Sequence, residues 1–291
     1  MSRTRASAEL VVAALIWGFG FIATRWALAA MGPLWIITVR SFVAFFVALP
    51  VLLIIPEMRA RVREEMLPAL PAGVFLAASL GFQTVGLRFT TATNSGFITV
   101  LYVLFVPPFA AIFLKQRMQP LHGFFLGIAL LGAGFIAQVT PSSSLNVGDV
   151  LTLLCAVTGA FHIVWLSHAA KRIASPFVFN ALQNFWVGGF ALVVAVPLEP
   201  RLAWRGSGLA LFGLAFLALA STLIAFLLQT RAQRVLPAAT ASLLCLLESP
   251  FAALFAFLLL GERLSLAQWA GCSLVMAASV GAIIVEQQTN A

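Results

Sequence analysis

Ten stretches of roughly twenty mostly apolar residues follow one another along the chain, separated by connectors too short to hold a soluble domain. They cover residues 10–30, 34–55, 67–87, 93–114, 121–139, 147–166, 176–197, 209–228, 237–260 and 266–285. An α-helix rises about 1.5 Å per residue, so each stretch matches a hydrocarbon core about 30 Å thick. Lipid offers backbone amides no hydrogen bonds, and segments of this length and composition satisfy them internally as helices. The fold class expected is therefore an all-α membrane protein with ten transmembrane helices. Composition agrees, because a chain that is 62% hydrophobic and only 9% charged has too little polar surface for a soluble fold of 291 residues. Any function must then reside inside the helix bundle.

The net charge of +8 sits mainly in the connectors, where basic residues set orientation. With the N-terminus in the cytoplasm, that side collects Arg3, Arg5, Arg59, Arg61, Arg63, Lys115, Arg117, Lys171, Arg172, Arg231 and Arg234, which is 11 of the 17 basic residues. Arg25, Arg40, Arg88, Arg201, Arg205 and Arg263 fall on the other side. The bias favours both termini in the cytoplasm of a multi-pass protein of the bacterial inner (plasma) membrane. There is no basic face or aromatic stacking platform of the kind nucleic acid requires. The N-terminal run imitates a signal peptide with Ala27-Leu28-Ala29, but it is long enough to span and carries Arg25 before that site, so it reads as the first span. Cys155, Cys245 and Cys272 lie far apart in apolar stretches and share no ligand spacing with His122, His162 or His168, so neither a metal nor another cofactor is expected.

The chain also resembles itself. A shift of 146 residues lays 83–117 on 229–263 without a gap, pairing Gln83 with Gln229, Thr84 with Thr230, Arg88 with Arg234, Phe105 with Phe251, Phe109 with Phe255 and Arg117 with Arg263. A shift of 140 pairs Glu9 with Asp149 and Phe21 with Phe161. Matched polar residues carry this argument, since leucine-rich helices coincide by chance. The division is into residues 1–140 and 146–286, one five-helix repeat each in a single bundle, with a short tail at 287–291. Five is odd, so the second repeat enters the membrane from the opposite side. Inverted repeats of this kind are a recurrent construction of secondary transporters.

Four motifs carry a further resemblance: LIWGFGF in the first span, TVRSFVAF in the second, LRFTTATNSGF opening the fourth, and LESPFAALFAFLLLGERLSLAQWAG joining the ninth to the tenth. Together they resemble the EamA-type repeats of the drug/metabolite transporter superfamily over nearly the whole chain. The LYVLFVPPFAAIFLKQR form of the fourth span, with Lys115-Gln116-Arg117 where the second repeat has Gly261-Glu262-Arg263, is similar to the branch that exports aromatic and other amino acids. The resemblance implies a transporter of small amphipathic metabolites.

The shift of 146 places Glu248 opposite Tyr102, near the middle of the ninth and fourth spans. Residues at equivalent depths in inverted repeats should face each other across the pseudo-twofold axis, where such proteins bind substrate. Pro107, Pro108 and Pro250 are expected to interrupt backbone hydrogen bonds beside them and to act as hinges. Gly18 and Gly20, beside Trp17, would let a helix or a substrate approach the backbone and complete the gating set. Two readings of Glu248 stand: a hydrogen-bonded acid that ties helices together, or a group lining the pathway. Trp17 and Trp186 lie deep enough for a cavity wall, and Trp165 lies near the end of its span, whereas Trp26, Trp35, Trp204 and Trp269 fit the interfacial belt. Arg40 and Arg25 either snorkel to the outer interface or point inward to meet a substrate carboxylate. Gln83, Asn94, His162, Gln183 and Asn184 are further polar interruptions, each either an interhelical hydrogen bond or a ligand.

The chain has no phosphate-cradling G-x-x-x-x-G-K-[ST] motif, no G-x-S-x-G elbow and no H-E-x-x-H pair. A secondary transporter working by alternating access is the expectation, not an enzyme. Its partners would be a small molecule, the bilayer and, if transport is coupled, protons. A lipid-modifying enzyme using Glu248, His162 and Tyr102, and a passive channel, are the rival readings.

Overall fold

The computed structural model describes residues 1–116, 120–137, 146–199, 204 and 206–288. Helices begin where the sequence supplies end groups. Ser2 caps α1 (Arg3–Leu28) by accepting from Arg5 N at 3.2 Å. Proline stands in the first turn of α2 (Pro33–Ile54), α3 (Pro56–Gly86) and α8 (Pro176–Leu198), where its missing N–H has no partner to lose. A reciprocal Asn146–Asp149 capping box opens α7 (Val147–Ala169). The fourth span divides into α4 (Ala92–Thr99) and α5 (Tyr102–Leu114), the ninth into α11 (Ala238–Cys245) and α12 (Glu248–Leu260). The eighth is α9 (Gly208–Phe216), a π-helical segment (Leu217–Ala225) and α10 (Phe226–Ala232). The fifth and tenth are α6 (Pro120–Ala137) and α13 (Leu266–Gln288).

Among the described residues, nine helical stretches are long and apolar enough to cross a bilayer, and the apolar α6 is shorter. The chain is thus an all-helical, multi-pass membrane protein, and its ten spans follow the apolar stretches of the sequence. Large side chains such as Phe46, Ile54, Ile112 and Val193 are exposed on the outside, while alanines, serines and threonines fill the contacts between helices. This distribution suits lipid, where close packing of small residues, not apolar burial, brings helices together. α6 and α13 pack on each other so closely that a Cβ at Gly132 would stand 2.7 Å from the Gly271 carbonyl.

Contacts between connectors agree with strict alternation of crossings. On the side holding the N-terminus, Glu9 pairs with Arg231 at 2.9 Å, and Glu65 accepts from the backbone of Ala174 and Ser175 at 2.9 and 2.8 Å. On the opposite side, Arg25 donates to the Thr90 carbonyl, Thr90 to Asp149, and Glu262 accepts from Ala92 N and Thr93 Oγ1 at the start of α4. Leu34 N and Trp35 Nε1 both reach Glu199 there. Acids therefore sit at the N-termini of α2, α4 and α8, where they meet unpaired amides and the positive end of the helix dipole. Residues 142–144, Arg117, Arg201 and Arg205, and the tail beyond residue 288 lie outside the described residues.

Candidate functional site

The two broken spans superimpose in register: α4, its break and α5 reappear as α11, its break and α12 at a constant offset of 146 residues. At each break the chain tightens into three-residue turns. Leu101 N bonds to Ile98 O and Val103 N to Val100 O in one half, Leu247 N to Leu244 O and Ser249 N to Leu246 O in the other. In the first half Leu104 N closes the next turn on Leu101 O, and Pro250 occupies that position in the second, where it has no N–H to give. The interruption thus lies at 100–101 and 246–247, ahead of the prolines. Pro107 and Pro108 sit inside an unbroken α5, and Pro250 falls in the first turn of α12, where a missing donor costs least. The breaks end in Tyr102 and Glu248, each the first residue of its half-helix.

Both line one central cavity. α1 contributes Trp17, Gly20, Phe21 and Thr24; α2 contributes Arg40; α3 adds Ser79 and Gln83; the broken fourth span adds Thr99. From the second repeat come His162, Ser221, Phe226, Gln229 and Cys245. Trp17 and Phe226 lie with ring centroids 5.0 Å apart and form an aromatic contact within the wall. Gln83 and Gln229, paired by the internal repeat, both face this space; Gln83 donates to Thr99 at 3.1 Å, while Gln229 Oε1 and Tyr102 Oη are buried without a hydrogen-bond partner among the described residues.

Arg40 is only 3% exposed and does not snorkel to the interface. Its Nε donates to Thr222 Oγ1 at 2.7 Å and its Nη2 to Ser221 Oγ at 2.8 Å. Both acceptors belong to the π-helical segment, which also receives Trp17 Nε1 at the Ser221 carbonyl (3.2 Å) and Asn180 Nδ2 at the Leu223 carbonyl (2.9 Å). A π-turn widens the helix and re-aims its side chains and carbonyls, and such turns recur at functional sites. Neither Arg40 nor Glu248 forms a salt bridge among the described residues. One cavity therefore holds a guanidinium held by two hydroxyls, a carboxyl at a helix N-terminus, and an aromatic wall between polar tips.

Of the residues singled out from sequence, Trp17, Gly20, Arg40, Gln83, Tyr102, His162 and Glu248 meet here. Gln183 stands one layer back, its Oε1 3.2 Å from His162 Nε2. Asn94 lies in the first turn of α4, away from the cavity, with its backbone N–H on Thr91. Trp165 and Trp186 donate their indole N–H groups to the carbonyls of Pro68 and Met66, so they anchor α7 and α8 to α3 instead of walling the cavity. α1 runs without a break through Gly18 and Gly20. Gly18 serves contact: a Cβ there would stand 2.5 Å from Phe251 Cβ on α12. Ser221, Thr222, Ser79, Thr99 and Phe226 escaped the sequence reading. Gln229 was visible only as the repeat partner of Gln83, and nothing in LALASTLIA announces a π-helix.

Comparison with known proteins agrees with the repeat. Residues 7–138 and 146–284 each match the EamA-like transporter family. An uncharacterized transporter of Archaeoglobus fulgidus is 29% identical over 280 residues, 96% of this chain and 86% of that protein. The uncharacterized transporter YcxC of Bacillus subtilis is 27% identical over 204 residues, 67% of this chain and 63% of that protein. A solved crystal structure shares the fold over 100% of both chains, with a TM-score of 0.81 at 17% identity.

Proposed function

The chain belongs to the EamA-like transporter family and is a membrane transporter; from that premise we propose that it exports small amphipathic metabolites, amino acids including aromatic ones, by alternating access around the central cavity. The observation that carries this reading is the joint presence of Arg40 and Glu248, unpaired with any ion among the described residues, on one cavity with Trp17 and Phe226. A zwitterion presents both charges a few ångströms apart. Its carboxylate suits the guanidinium, its ammonium suits the Glu248 carboxylate, and its side chain suits the aromatic wall. The two half-helix breaks supply matched points at which either repeat can move relative to the other, which is the symmetry alternating access needs. In this reading the termini are cytoplasmic, the membrane is the bacterial inner membrane, and Glu248 is the group through which proton coupling would act.

Counterflow in proteoliposomes tests the proposal. Unlabelled amino acid loaded inside should accelerate entry of labelled amino acid, and the label should return chemically unchanged. Absence of trans-stimulation would point to a channel, and a changed product to an enzyme; either result rejects the proposal.

A further inference from the structure

A second cavity lies at the membrane surface on the side that holds the N-terminus, between the end of α2, the start of α3 and α8. It is an apolar slot, open on one side, walled by Phe45, Leu49, Leu52, Leu182 and Phe185 and bordered by Arg59 and Arg63. The two arginines are four residues apart on α3, so they share one face. Both are exposed, and among the described residues neither forms a salt bridge and no acid lines the slot. Arg61, between them in sequence, is instead held by Glu64 at 2.8 Å. Topology alone would be served by arginines anywhere in this connector. It does not account for two guanidinium groups, unpaired among the described residues, at the border of an apolar opening.

Depth completes the argument. α3 has 31 residues, roughly 46 Å at the helical rise, against a core of about 30 Å. Its first turns therefore stand at the headgroup level, with the slot descending beside them into the acyl region. We propose that this is a binding site for one anionic glycerophospholipid of the adjacent leaflet, its phosphate held by Arg59 and Arg63 and an acyl chain in the slot. The charge on the border and the apolar walls are complementary to the two ends of that molecule, and a bidentate guanidinium matches phosphate geometry.

The test is a titration of the purified full-length protein in detergent with phosphatidylglycerol, phosphatidylcholine and glycerol phosphate, followed by native mass spectrometry. One phosphatidylglycerol should bind at least tenfold more tightly than either of the others. Each arginine near an anionic headgroup is worth roughly fivefold, so Arg59→Gln with Arg63→Gln should weaken binding about twenty-fivefold. Arg61→Gln should change it less than twofold. Leu49→Trp, which fills the slot and leaves the charge alone, should weaken the lipid by a similar order and leave glycerol phosphate unaffected. Equal binding of the two lipids, or undiminished binding in the double variant, overturns the proposal. Glycerol phosphate binding as tightly as the lipid would make this a free-phosphate site and also overturn it. If the double variant does not fold, Leu49→Trp decides alone.

Discussion

Arg40 of the first repeat is held by Thr222 of the second, Nε to Oγ1 at 2.7 Å, in the π-helical stretch of the eighth span. A charged residue at such depth costs roughly 2.5–3.5 kcal/mol on insertion scales, whereas an interhelical hydrogen bond in a membrane returns about 0.6 kcal/mol on average. Two hydroxyl contacts do not close that gap, so the guanidinium is a liability to the fold that function must justify. Arg40→Met should leave the thermal midpoint in detergent unchanged or raised, while abolishing counterflow of carboxylate-bearing substrates. A variant that unfolds, or one that transports normally, would contradict the role assigned to this residue.

Glu248 opens α12 and lines the same cavity without a salt bridge among the described residues. Glu248→Gln keeps size and hydrogen-bonding capacity, so the protein should express and fold. It should lose transport, lose the pH dependence of its rate, or change selectivity, because an amide can neither ionise nor balance an ammonium group. A wild-type rate and pH profile in proteoliposomes would return this carboxyl to a structural role.

Trp17 and Tyr102 face the cavity from different spans of the first repeat. Trp17→Ala and Tyr102→Ala should each weaken transport of large apolar side chains at least several-fold more than small ones. The comparison is made within one variant, so a general loss of folded protein cancels. Equal losses for phenylalanine and alanine would assign both residues to packing.

Lys115 and Gly261 end α5 and α12 in the same left-handed conformation, at φ of 54° and 70°. Left-handed geometry costs a side-chain-bearing residue about 1–2 kcal/mol that glycine avoids. Lys115→Gly should therefore stabilise the protein by about 1 kcal/mol and Gly261→Ala destabilise it by a similar amount, read as opposite shifts of the thermal midpoint.

Orientation is testable by labelling. The native cysteines are buried, so an impermeant maleimide should report only introduced thiols. Arg61→Cys should react from the cytoplasmic side and Ser143→Cys from the other. Reaction of both from one side would contradict the inverted arrangement.

Sequence by itself determined the spans, the two repeats and the pairing of Tyr102 with Glu248, because apolar length and a constant offset are one-dimensional properties and lipid enforces helix on any stretch that satisfies them. The same offset set Gln83 against Gln229. Only the tertiary structure decided which polar residues share a cavity. A helix face is oriented by its neighbours, and a span apolar all round carries little signal of which side is inward. Arg40 could as well have snorkelled outward from its position two turns inside α2, and it is the hydroxyls of Ser221 and Thr222, presented by a π-turn, that hold it in. Trp165 and Trp186 went the other way because backbone carbonyls of α3 stood within reach of their indoles. The breaks fell ahead of the prolines for a similar reason: proline removes one donor, but where a helix tightens depends on what the rest of the bundle packs against it.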